Sequence, residues 1–140
     1  MALSSSGVAQ FPFTLKQGSD ETIPMTLWDD NGQPMDFTGY SMLMQIRAFQ
    51  SSPVVLLELS SANDTGSYIQ LGGQSGTITL IFAHTDTAAL ATNGQPSFGP
   101  MQQGLRVGQV GVYDLQFTTP GGDIGYLLEG TISLDPWVTQ

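Results

Sequence analysis

Cysteine is absent from all 140 residues, so neither a disulfide framework nor a thiolate metal ligand is available. Positive charge is nearly absent as well. Lys16, Arg47 and Arg106 stand against twelve carboxylates, leaving a formal charge of −9. Such a surface repels phosphate backbones and anionic headgroups, so neither nucleic acid nor membrane is an expected partner. The acids are scattered rather than run together, which is the pattern of a solubilising surface. Histidine occurs once, at His84. A Ser-His-Asp arrangement would have to be built around it, and no Gly-x-Ser-x-Gly elbow accompanies it. One imidazole without thiolates does not make a zinc site. Apolar runs are short, none exceeding Val54–Leu57, far below the length that spans a bilayer. The opening Met1–Ser6 has neither a basic region nor an apolar run, so no secretory leader is expected and synthesis in a cytoplasm is.

What replaces charge is Ser, Thr, Gln and Gly, a composition suited to the solvent faces of all-β proteins. Seventeen glycines and eight prolines imply many turns and short strands. The clearest element is Val112–Thr118, where Tyr113, Leu115 and Phe117 alternate with Asp114, Gln116 and Thr118. Pro120-Gly121-Gly122-Asp123 supplies a turn. A second strand follows, with Tyr126, Leu128, Ile132 and Leu134 on one face and Glu129, Thr131 and Ser133 on the other. Gly130 falls in the Tyr126 row, where a missing side chain admits a bulge or a close neighbour.

The same alternation recurs upstream. Phe11, Phe13 and Leu15 define a first strand, and Pro12 places it at an edge. Ile23, Met25 and Leu27 define a second, where Pro24 again requires an edge or a bulge. Asp29-Asp30-Asn31-Gly32 and Asp36–Tyr40 are reversals. Met42, Met44, Ile46 and Ala48 mark a third strand, and Val54–Ser60 a fourth with Val55, Leu57 and Leu59 on one side. Tyr68–Leu71 and Thr77–Phe82 flank a Gly72–Gly76 turn. His84–Ala91 fits one or two helical turns capped by Thr85 or Asp86. Thr92–Gly111, with five glycines and four glutamines, reads as a long loop, a feature that is functional or disordered when it occurs.

Short strands at near-regular spacing predict a single all-β domain over residues 10–140. The expected fold is an antiparallel, immunoglobulin-like β-sandwich of about six to eight strands with a short helical turn near 85–91. A small closed barrel competes. Residues 1–9 are expected to form a flexible arm.

Chemistry-bearing motifs are weak. Asp29, Asp30, Asn31 and Asp36 lack the acid an EF-hand needs five residues before its glycine, since Leu27 stands there. Gly72–Gly76 lacks the Lys-Ser/Thr of a phosphate loop. No paired carboxylates for glycoside hydrolysis are fixed by spacing. No catalytic residue, metal or cofactor is therefore expected. Apolar and aromatic residues in rows that should be solvated, or near element ends, are the better signal. Trp28, Phe49 and Trp137, with Phe98, Met101 and Leu105 in the long loop, are the candidate partner-binding residues.

The order of motifs resembles a group of small tailed-phage and prophage proteins. The matching residues are Gln17-Gly18, Asp29–Tyr40, Met44-Gln45-Ile46-Arg47, Gly76–Leu80, Thr85–Leu90, Val112–Leu115, Glu129–Ile132 and Val138-Thr139. The chain resembles the immunoglobulin-like N-terminal domain of baseplate upper proteins over roughly residues 10–139. The resemblance implies a non-enzymatic virion protein, an adaptor in the tail, baseplate or tail-fibre region, made in the host cytoplasm. Its implied partners are other virion proteins (baseplate wedge or fibre components) in a homo-oligomer or symmetric assembly. The Thr92–Gly111 stretch is longer than the group usually has, and with one domain expected, receptor binding is expected to fall to a partner. Two further readings stand beside it. One is a carbohydrate-binding sandwich stacking sugars on Trp28, Tyr40, Tyr68 or Trp137; the other is a capsid or neck decoration protein.

Overall fold

The last two strands organise the domain. β8 (Gly108–Thr118) and β9 (Ile124–Asp135) form a long antiparallel hairpin whose turn is closed by Thr119 N–H to Asp123 O at 2.8 Å and Gly122 N–H to Thr119 O at 2.9 Å. The computed structural model describes residues 8–91 and 108–137. Within them, β8 continues into β4 (Ser41–Arg47) and then β5 (Leu57–Ser60), both antiparallel. On the other side of β9 run β1 (Ala9–Gln10) and β2 (Phe13–Lys16), completing a six-stranded sheet. The facing sheet has three strands in the order β3 (Glu21–Thr26), β7 (Thr77–Phe82), β6 (Tyr68–Leu71). A six-residue helix, α1 (His84–Ala89), joins the sheets after β7. With β1 and β2 beside the last strand in one sheet and β3 opening the other, the strands follow the Greek-key order of an immunoglobulin-like sandwich.

Alternation places the core. Met44, Ile46, Leu59, Leu115, Ile132 and Leu134 point inward from the larger sheet, and Met25, Ile69, Ile78, Leu80 and Phe82 from the smaller; all are buried. Removing such apolar surface from water is the main stabilising term. Phe13 links the layers, its ring centroid 5.9 Å from Phe82 and 5.2 Å from Tyr113.

Several expectations need correction. The sandwich is not wholly antiparallel, because β1 and β2 run parallel to β9. Pro12 interrupts this edge as its missing N–H requires, while Phe11 N–H still reaches Glu129 O at 2.9 Å. Ala9, assigned to a flexible arm, is paired with Leu128 and buried. The fourth strand starts at Leu57, and Val54–Leu56 lie outside it, exposed. Gly108–Gly111, read as the end of the long loop, belong to β8, and the rest of that stretch lies outside the described residues. Tyr126 does not share the Leu128 row. The pairing slips between Leu115↔Leu128 and Gln116↔Tyr126, so Leu127 is an extra, buried residue and Tyr126 turns outward.

The helix cap also differs. Ala83 is the N-cap and offers no side-chain bond. Asp20, from the turn between β2 and β3, instead accepts the His84 N–H at 2.7 Å. Asp86 accepts the Ser67 hydroxyl, and Ser67 Oγ accepts Ala83 N–H at 2.9 Å. The helix is thus held from two neighbouring segments.

Candidate functional site

The outward rows of β4, β8 and β9 meet on the solvent face of the six-stranded sheet. Leu43, Gln45 and Arg47 come from β4; Val112, Asp114 and Gln116 from β8; Tyr126, Glu129 and Thr131 from β9. Gln10 closes one side from β1. Strand twist and two bulges, with Val110 and Leu127 the extra residues, bend this surface into a groove of about 500 Å³.

Glutamine amides order the groove walls. Gln45 Nε2 donates to Glu58 Oε2 at 2.8 Å, and its Oε1 accepts Arg47 Nη2–H at 2.9 Å. Arg47 Nη1–H reaches Ser52 O at 2.8 Å, which fixes the guanidinium toward the β4–β5 connection. Gln10 Nε2 donates to Glu129 Oε1 at 2.7 Å, and Gln116 Nε2 to the Tyr126 hydroxyl at 3.1 Å.

At the centre, Asp114 and Glu129 are register partners across β8 and β9. Like charges so placed are destabilising. Partial burial pushes the Asp114 carboxyl above the usual carboxylate range, Glu129 adds to the rise, and Arg47 opposes it. Among the described residues, no hydrogen bond reaches the Asp114 carboxylate.

The floor is built by backbone approach. Tyr113, buried behind the groove, donates its hydroxyl to Phe11 O, and burial raises its phenol. Gly130, opposite Tyr113, is the close-neighbour position: a Cβ there would stand 2.9 Å from Phe11 O.

The candidate residues do not converge on this groove. Trp28 is 40 % exposed in the β3–β4 connection, bridged to Pro34. Trp137 packs over Gly18 in the β2–β3 turn, beyond the opposite end of β3, with its N–H 3.4 Å from Gln17 Oε1. Phe49, 57 % exposed, lies in the β4–β5 connection, where Val54 and Leu56 are also exposed. Phe98, Met101 and Leu105 lie outside the described residues. Leu43 and Ile81, apolar residues in the outward rows of β4 and β7, are half-buried.

Of the aromatics considered for sugar stacking, Tyr40 and Tyr68 border a second hollow of about 490 Å³, with Asn63, Asp64 and Gln70. Tyr40 is held edge-on by Phe37, with centroids 5.4 Å apart. His84 is placed structurally, its Nδ1 3.0 Å from Asp20 Oδ1. The His84 backbone N–H, then the ring, hold the Asp20 carboxyl below its ordinary value. Asp29 spends its carboxylate on the N–H groups of Asn31 and Gln33 at 2.9 and 3.0 Å, as an Asx turn does. No group of three or more potential metal ligands occurs among the described residues.

Asp114, Gln116, Glu129 and Thr131 lie in rows that alternation marks as outward, whereas it assigns Tyr126 to the inward row. The missing information was strand order, which brings the three rows side by side, and the Leu127 bulge, which delivers Tyr126 to them.

No protein-family profile matches the chain, and no curated protein matches it. Among solved structures, a chicken TCR is similar with TM-score 0.45 and 12 % identity, covering 94 % of this chain. The chain spans 56 % of that TCR chain. The immunoglobulin-like character is carried by the strand order itself.

Proposed function

We propose that the protein is a non-enzymatic virion component, an adaptor in the tail, baseplate or tail-fibre region that works by protein–protein contact. The observation that carries the contact mode is the groove on the six-stranded sheet, where the central Asp114 and Glu129 and their flanking amides are bordered by the half-buried Leu43 and Val112. Protein interfaces mix polar and apolar side chains in this way. Phe49, Val54 and Leu56, each exposed in the β4–β5 connection, add apolar surface available for contact. The virion setting is supported by the motif order along residues 10–139. Mass spectrometry of purified phage particles tests it: the adaptor is expected as a stoichiometric particle protein, and its absence from particles would remove the proposal.

A second reading, glycan binding, is favoured by the hollow beside Tyr40 and Tyr68, where aromatics stand near Asn63 and Gln70 carboxamides. A glycan array probed with wild type and Tyr68→Ala separates the two, since only a sugar-binding module gives hits that the variant loses.

A further inference from the structure

The groove combines a concave shape with an unbalanced charge. Its lining holds one cation, Arg47, and two acids, Asp114 and Glu129. The cation is already engaged by Gln45 Oε1 and Ser52 O. Among the described residues, Arg47 is the one cation lining the groove beside the acid pair. Lys16 is held 3.6 Å from Asp135, at the far end of β9. A second copy docked face to face would bring another Asp114 and Glu129 against the first, so the face does not complement itself.

We propose, resting on the contact-module reading above, that this groove receives an arginine side chain from a partner protein, seated between Asp114 and Glu129. The planar guanidinium carries five donors and suits two carboxylates whose Cβ atoms stand about 5 Å apart across neighbouring strands. Gln45 faces Asp114 from β4 and Gln116 follows two residues farther along β8, so carboxamides flank the acid pair. Tyr126, 44 % exposed, lines the same groove as an aromatic neighbour for the cation, and Val112 and Leu43 supply apolar contact for the methylene stem. Lysine meets the charge requirement but lacks the fork.

The test uses a short acetylated peptide of alternating threonine and arginine, its neutral citrulline counterpart, and its lysine counterpart. Amide shifts in NMR spectra of the full chain are expected to cluster at Gln45, Asp114, Gln116 and Glu129 with the arginine peptide. Citrulline should abolish them, and Asp114→Asn or Glu129→Gln should weaken binding about tenfold. Both variants keep side-chain shape and remove repulsion, so loss of fold does not mimic loss of binding. Shifts scattered over all acids, or citrulline binding as well as arginine, would overturn the site. So would self-association in sedimentation that Asp114→Asn abolishes. Lysine binding as tightly as arginine would overturn the guanidinium geometry. Failure here with the protein still present in particles leaves the adaptor reading intact; peptide binding by a protein missing from particles does the reverse.

Discussion

Asp114 shows how one residue can cost stability and serve contact. Its carboxyl titrates above the usual range because partial burial and Glu129 disfavour the anion. Between its ordinary and raised values, the folded chain holds a proton that the unfolded chain has released. Stability contributed by Asp114 therefore falls as pH rises through that window. Asp114→Asn should raise the urea midpoint at neutral pH, and the gain should shrink as the medium is acidified below the carboxylate range. Asp20 and Asp36 act in the opposite sense. Hydrogen bonds from His84 and Thr38 depress them, so their contributions are lost as pH falls through their lowered values. At Gly111 the constraint is steric, since a Cβ would stand 2.0 Å from Arg47 O, a backbone atom. Gly111→Ala must part β8 from β4 and should cost about 3 kcal/mol or more in equilibrium denaturation. Such a glycine reads in sequence only as loop composition. It was counted with the Thr92–Gly111 stretch because nothing local distinguishes a glycine of close approach from one of a turn.

Elements with clean alternation were legible, and those whose geometry comes from a neighbour were not. Tyr68–Leu71 and Thr77–Phe82 have the bounds their patterns predict, since period-two burial and flanking turn residues agree. The β9 row broke at Leu127 because a bulge depends on the register of β8, which no pattern within β9 contains. Val54–Leu56 look like strand by composition but reach β4 only through Leu56 N–H to Ile46 O at 2.7 Å. α1 makes the same point. Its N-terminal partners, Asp20 and Ser67, lie in other segments, and its buried anchor is Thr87 rather than Thr85. Thr87 Oγ1 donates to Ser19 O at 2.8 Å, tying the helix to the β2–β3 turn. Thr87→Val keeps the shape and removes that bond. It should lower stability by about 1–2 kcal/mol, read by urea denaturation, with hydrogen-exchange protection lost first in α1 and that turn.

At the scale of the whole molecule, the sandwich class followed from turn spacing, while the parallel first edge did not. Pro12 marks an edge without saying along which neighbour or in which direction. The groove was illegible for a related reason: it exists only once β4, β8 and β9 lie side by side. Topology also sets the two tryptophans apart. Trp137 covers Gly18 before β3 begins and Trp28 follows after it ends, so the six-residue strand, about 20 Å long, separates them. They cannot form one stacking platform, but they report on opposite ends of a shared core. The inner faces of both sheets join in one buried cluster that reaches from Leu27 to Leu134. Neither end can therefore lose its packing without uncovering the other, and unfolding should be all-or-none. Single-tryptophan variants, Trp28→Phe and Trp137→Phe, provide the check. After allowance for each variant's own stability by circular dichroism, fluorescence from either remaining indole should give the same urea midpoint as the backbone signal. An indole at one end melting well before the backbone would show that the ends unfold separately.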